Sequence, residues 1–265
     1  MRKQAVVAMM ALTGAALLAQ APAQIQAPPA AAVGSVPKVK SKEEAAAIKK
    51  IVEAKTADDK IAAVDALVTG FADTIFKSTA LMEAAEAEDS KSDYVKAVSY
   101  GELAIQADPM QFYGMILVAG ELAQHTGKYD LDKEEKLGKA EKYVAQALAI
   151  IPTATKPVGG GSDADWNIFK KDQTANAYKD LGLVAEARGK WDDAAKQYQL
   201  SVDTAATPDT ITMARLARAD NEIGKYTEAL AIATKVMKTD GVNPTVKQYA
   251  EQQQQRAQKG LTAKK

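Results

Sequence analysis

His125 is the only histidine among 265 residues, and there is no cysteine. Those two facts narrow the chemistry at once. Without thiolates there is no disulfide, no iron–sulfur cluster, no cysteine nucleophile and no cysteine-based zinc site. One imidazole cannot build the usual zinc set. A Ser-His-Asp relay would have to use His125, and the chain has no Gly-x-Ser-x-Gly elbow to present a serine to it. Asp163-x-Asp165-x-Asn167 has the spacing that opens a calcium loop, but the sixth place is Ile168 rather than glycine and the twelfth is Thr174 rather than glutamate. A helix N-terminus, where the macrodipole favours negative charge, accounts for these residues better. Gly159-Gly160-Gly161 lacks the Gly-Lys-Ser/Thr that completes a phosphate loop, and it is a flexible hinge. The sequence therefore predicts no enzyme, no cofactor and no metal.

Charge narrows the partner. Lys plus Arg and Asp plus Glu number 34 each, and the two signs are interleaved. No basic block argues for nucleic acid, and no acidic tail argues for a solvating arm.

The elements that would position any functional residue are helices. Outside the first forty residues Ala, Leu, Lys, Glu and Gln dominate, while proline and β-branched runs are scarce, so the class is all-α. The stretch Ala175–Pro208 carries the most order. Tyr178, Leu181 and Gly182 are spaced aromatic-x2-Leu-Gly; Gly189 and Trp191 bracket a turn; Ala194, Tyr198 and Ser201 follow as small-x3-aromatic-x2-small. Each helix of a pair must bury one stripe, so its inward residues recur every three or four positions. Gly182 and Ala194 are small where backbones approach, Tyr178, Leu181 and Tyr198 supply bulk, and Gly189 can take the positive φ that ends a helix. The turn recurs as Gly127-Lys128-Tyr129, Gly189-Lys190-Trp191 and Gly224-Lys225-Tyr226, with a weaker Ser92-Asp93-Tyr94. Gly189 to Gly224 and Ser92 to Gly127 are both 35 residues, and the longer middle interval predicts an insertion.

These residues resemble the tetratricopeptide repeat (TPR), a 34-residue pair of antiparallel helices that survives only by stacking on copies of itself. The resemblance covers about Ser41–Lys259. A first, degenerate repeat or N-terminal capping hairpin has a capping box Ser41…Glu44, then Ile48, Ile51 and Val52 on one helix. A second helix starts at Asp58 or Asp59, carries Ile61, Val64, Leu67 and Val68, and stops near Gly70. Repeat two (Ser78–Gln111) has Leu81, Ala84 and Ala85, then Ala97, Gly101 and Ala104, and Pro109 closes it. Repeat three begins near Tyr113 with Ile116, Ala119 and Gly120. A mostly charged insertion, Asp130–Lys139, follows as a helical extension or a loop in water; then come Ala140, Val144 and Ala147. After the loop Thr153–Ser162, repeat four opens on an over-long first helix. Repeat five (Thr210–Asn243) has Met213, Leu216 and Ala217, then Ala229, Ala233 and Val236. Pro244 opens a final helix to Lys259, polar all round at Glu251–Arg256, as the cap of an open end; residues 260–265 are a disordered tail.

At the other end, Met1–Ala23 has the pattern of a secretory signal peptide: Arg2 and Lys3, an apolar Ala5–Leu18 below the ~20 residues a span needs, and Ala21-Pro22-Ala23 before the cut. Residues 24–40, rich in Ala and Pro, are expected to be a disordered linker. The chain is thus expected to be exported, periplasmic or secreted, with no stable membrane span after cleavage. The absence of cysteine removes a lipoprotein anchor.

The resemblance implies a right-handed α-solenoid whose first helices line a concave groove, and a non-enzymatic scaffold for protein–protein interaction, possible roles being envelope assembly or secretion. It places the candidate contacts on those helices, off the packing stripe: Met82, Glu86, Asp89, Leu117, Glu121, Gln124, Lys179, Leu183, Glu186, Arg218 and Asn221. Lys179, Arg215 and Arg218 are the cations that could grip a C-terminal carboxylate, though Leu183 stands where an Asn would help. Trp166 and Phe169 are either an exposed aromatic anchor or packed under the Asp130–Lys139 insertion. The alternative function is a groove for a small molecule, lipid or glycan, which would need a sustained apolar lining; Met82, Leu117 and Leu183 are too few.

Overall fold

The computed structural model describes residues 38–157 and 161–263, and these contain eleven α-helices and no strand. The expected signal peptide and nearly all of the expected linker lie outside them. Residue 40 already belongs to the fold: its backbone N–H donates to the Glu44 carboxylate and its ammonium to the Asp73 carbonyl at 2.9 Å. The chain divides into two compact units, one of residues up to Ala107 with Thr155–Asp163, the other of Asp108–Ala154 and Ala164 onward.

The first unit holds α1 (Lys42–Glu53), α2 (Ala57–Gly70), α3 (Lys77–Ser90) and α4 (Tyr94–Ala107), each packed on the next. Ser41 caps α1, its hydroxyl accepting from Glu44 N–H at 3.0 Å. The reciprocal half of the expected capping box is displaced by one residue, since Glu44 takes the N–H of Lys40. Thr56, not Asp58 or Asp59, caps α2, because its hydroxyl is the acceptor that reaches Asp59 N–H. The buried positions fall three or four apart: Ile48 and Ile51, Val64 and Leu67, Ala97, Gly101 and Ala104. Val52, expected on the apolar stripe, is exposed instead, one residue past Ile51 and so turned about 100° off the stripe. Ser92 holds the turn between α3 and α4 at φ +63°, the left-handed conformation that glycine holds in later turns.

The second unit holds α5 (Phe112–Gln124), α6 (Lys133–Ile150), a 3₁₀ turn (Ile151–Thr153), α7 (Asp163–Ala187), α8 (Trp191–Thr204), α9 (Thr210–Glu222), α10 (Tyr226–Lys238) and α11 (Pro244–Ala263). The over-long first helix of repeat four is present: α7 has 25 residues. Most of the Asp130–Lys139 insertion is the start of α6, and its Leu137 is fully buried, so this segment is not simply a charged element in water. Gly189 and Gly224 take φ +72° and +75°. Gly127 is not among the positive-φ glycines; its N–H is held at 2.9 Å by Asp130 Oδ2.

Gly182 leaves no room for a side chain. A Cβ there would lie 2.4 Å from the ring of Tyr198, which is wholly buried. Tyr178 and Leu181, expected to supply bulk, are only half-buried; Ala177, Val184 and Ala185 take the buried positions of α7. The core runs on through Ala194, Tyr198, Met213, Leu216, Val236 and Ala250, shared among α7 to α11. Two expectations for the C-terminus fail. α11 is not polar all round, because Ala250, Gln253 and Ala257 form a buried stripe. It also continues to Ala263, through most of the supposed tail, with Gly260 pressed against the Tyr226 ring.

Candidate binding face

The first helices of the three hairpins in the second unit are α5, α7 and α9. Their polar residues off the buried stripe are already paired with one another. On α5, Glu121 lies 3.4 Å from His125 Nε2, and Gln124 is exposed beside them. On α7, Lys179 Nζ is 3.3 Å from Asp180 Oδ1. At the end of α7, Glu186 is a hub. It accepts from Tyr198 Oη at 2.7 Å, from Arg218 Nη1 at 2.7 Å and from Arg215 Nη1 at 3.4 Å. The Arg218 guanidinium lies 4.8 Å from the centre of the Trp191 ring. Burial first, and then the Glu186 charge, push the Tyr198 phenol far above its ordinary range, so it stays a donor.

This geometry decides what the face can do. Of the three cations foreseen as a carboxylate grip, Arg215 and Arg218 are engaged by Glu186, and Lys179 lies 3.3 Å from the buried Asp180. An incoming carboxylate would have to displace Glu186, whose two oxygens hold three donors. What remains open is a strip of paired polar side chains above the buried Asp180, with Gln124 at one end and the partly exposed Arg218 at the other.

Other foreseen contacts lie elsewhere. Met82 of α3 and Leu183 and Asn221 of the second unit are 2%, 6% and 2% exposed, so they are packing residues. Asn221 points its amide at Gln253 of α11, donating to the backbone carbonyl at 2.9 Å. The cause is the same in each case: these first helices are buried on more than one stripe, so a residue off the main stripe still has a helix over it. In the first unit Glu86 is half-buried and Asp89 exposed; Leu117 of α5 is half-buried.

Trp166 and Phe169 take a third course. They stack on each other with centroids 5.3 Å apart, and Phe169 meets Phe112 at 6.2 Å and Tyr113 at 6.3 Å. The Trp166 indole N–H points to the Ala154 carbonyl at 3.4 Å. They pack on the start of α5, and both are half-buried. Among the described residues the most exposed large apolar side chains are instead Tyr129 at 85% and Leu131, fully in solvent, in the loop before α6. In the later hairpins the residue after Gly-Lys begins the second helix and packs; here α6 starts four residues later and Tyr129 is left out.

Sequence reading missed the residues that tie α6 to α7. Arg188 donates to Glu134 and Glu141, 54 and 47 residues away, at 2.9 and 2.5 Å. Lys133 caps the end of α7 through the Ala187 carbonyl at 2.6 Å. Nothing in local spacing signals pairs so far apart. Among the described residues no group of three His, Cys, Asp or Glu is placed to hold a metal ion, and no helix is long and apolar enough to cross a membrane. A depression of about 410 Å³ lies along α10 against Ala231, Thr234, Lys235, Lys238 and Thr239, away from the paired strip.

No protein-family model and no curated protein matches the sequence. The fold has a solved counterpart, a thermophilic TPR protein of Thermus thermophilus. It aligns with a TM-score of 0.53 at 15% identity, over 74% of this chain and 90% of that one. Together with the consecutive packing of α1 to α4, of α5 on α6 and of α8 to α11, that likeness gives the result: the chain has the all-α fold of TPR solenoid proteins.

Proposed function

We propose that this protein is an exported, non-enzymatic TPR scaffold that holds a protein or peptide partner along α5, α7 and α9, with possible roles in envelope assembly or secretion. The observation that carries the reading is the strip of charge pairs on these helices. Their side chains are held in place by one another, so a partner meets an ordered surface and little side-chain entropy is lost on binding. Alternating charge suits a polar chain segment better than an apolar ligand. The second reading, a groove for a small molecule, lipid or glycan, loses support because Met82 and Leu183 are packed away and leave Leu117 alone.

A photo-crosslinking residue at Gln124 tests the binding face, with one at the exposed Lys235 of α10 as the control. Capture of one defined partner from Gln124 and not from Lys235 is the expected result. Equal capture from both positions removes the face. Export rests on the residues Met1–Ala23 alone. The intact mass of native protein, expected to begin at Gln24, checks it, and a retained Met1 overturns it.

A further inference from the structure

We propose that the contact between α5 and α7 is a proton-operated joint, closed when Asp180 is neutral and loosened when it ionises. The inference is separate from the partner reading and survives its failure.

The geometry is unusual for an aspartate. Asp180 is fully buried in mid-helix, and neither carboxylate oxygen has a hydrogen-bond donor. Across the contact stands Gly120 of α5, where a Cβ would sit 3.1 Å from Asp180 Oδ1. The missing side chain admits the carboxyl group without giving it a partner. The charged group that bears on it is Lys179 of its own helix, whose half-buried ammonium lies 3.3 Å from Oδ1 alone. From α5, the carboxylate beside Gly120 is Glu121, which is paired with His125. A buried charge with no donor is costly, whereas a neutral acid in the same place costs far less.

Burial raises the Asp180 carboxyl to about 6 against an ordinary 3.8, with Lys179 pulling the other way. The sign follows. Between those two values the closed joint binds a proton that the open joint has lost, so closure is strongest below about pH 4, weakens as pH rises and levels off above about pH 6. A difference of about two units makes opening on the order of a hundredfold more frequent at the alkaline limit, with roughly tenfold of that between pH 5 and pH 7.

Amide hydrogen exchange, corrected for its intrinsic pH dependence, reads opening helix by helix. Asp220 of α9 supplies the control. Burial raises it too, to about 6, with Lys225 pulling down and Glu228 pushing up. The joint predicts that exchange in α5 and the middle of α7 rises about tenfold from pH 5 to pH 7 in the natural protein and in Asp220→Asn, and stays flat in Asp180→Asn. The same rise in Asp180→Asn overturns it. Should that variant fail to fold, carbon NMR of the Asp180 side-chain carboxyl decides: titration near pH 6 upholds the joint, and titration near pH 4 overturns it.

Discussion

Gly182→Ala adds one methyl group, and its effect can be worked out from the α7–α8 contact. The new Cβ would lie 2.4, 2.5 and 3.0 Å from Cε1, Cδ1 and Cζ of Tyr198. Carbon atoms rest about 3.5–4.0 Å apart, so the ring or the helix must move by roughly 1 Å. The ring cannot do so cheaply. It is wholly buried, and its hydroxyl is fixed by Glu186, which Arg218 holds in turn. Overpacking of this kind costs about 1–3 kcal/mol or more, and alanine returns about 1 kcal/mol of helix propensity. The expected net is a loss of up to about 2 kcal/mol, read as a lower urea midpoint by circular dichroism. Gly138→Ala is the matched control, since Gly138 lies exposed within α6 with nothing within 4 Å of its Cβ. There the propensity gain stands alone, and stability should rise by about 1 kcal/mol. Trimming the ring with Tyr198→Leu should remove most of the Gly182→Ala penalty in a double-mutant cycle. If Gly182→Ala raises the midpoint as Gly138→Ala does, the close approach of α7 and α8 is wrong.

Three further outcomes follow from single contacts. Ser92→Gly relieves a left-handed residue at φ +63° and should stabilise the first unit by about 0.5–1 kcal/mol, part of the gain being lost to glycine's freedom in the unfolded chain; thermal melting checks it. Asn221→Ala removes both bonds that tie α9 to the buried Gln253, leaving its side-chain oxygen without this donor, and should cost about 1–3 kcal/mol, visible as faster proteolysis within α11. Arg188→Ala removes two bonds to carboxylates that are largely open to water, so the loss should be at most about 1 kcal/mol and should shrink in high salt; urea midpoints at two salt concentrations decide it.

The fold was legible because its determinants are local. Ala97, Gly101 and Ala104, or Ala229, Ala233 and Val236, are each set by one helix turning its small residues inward, and a period of three to four can be read from any single repeat. Where a second packing surface entered, the reading slipped. Tyr178 and Leu181 look like core by motif, yet the extended α7 gives its most buried places to Ala177, Val184 and Ala185. The polar run in α11 hid Gln253, which is buried because Asn221 gives it a partner.

The candidate face was legible only as positions along helices, and the reason bears on function. Whether Arg218 or Lys179 is open to a ligand depends on which carboxylate it already holds, and that carboxylate comes from another hairpin or from the next residue along. Glu186 was foreseen as a groove contact; it is better described as the residue that prevents Arg215 and Arg218 from acting as a bare cationic site. A face whose charges are matched internally has no strong long-range field, so it gains little from electrostatic steering. A partner must instead offer a matching sequence of polar groups at short range, which places selectivity in register along α5, α7 and α9 and predicts an association rate that changes little with salt.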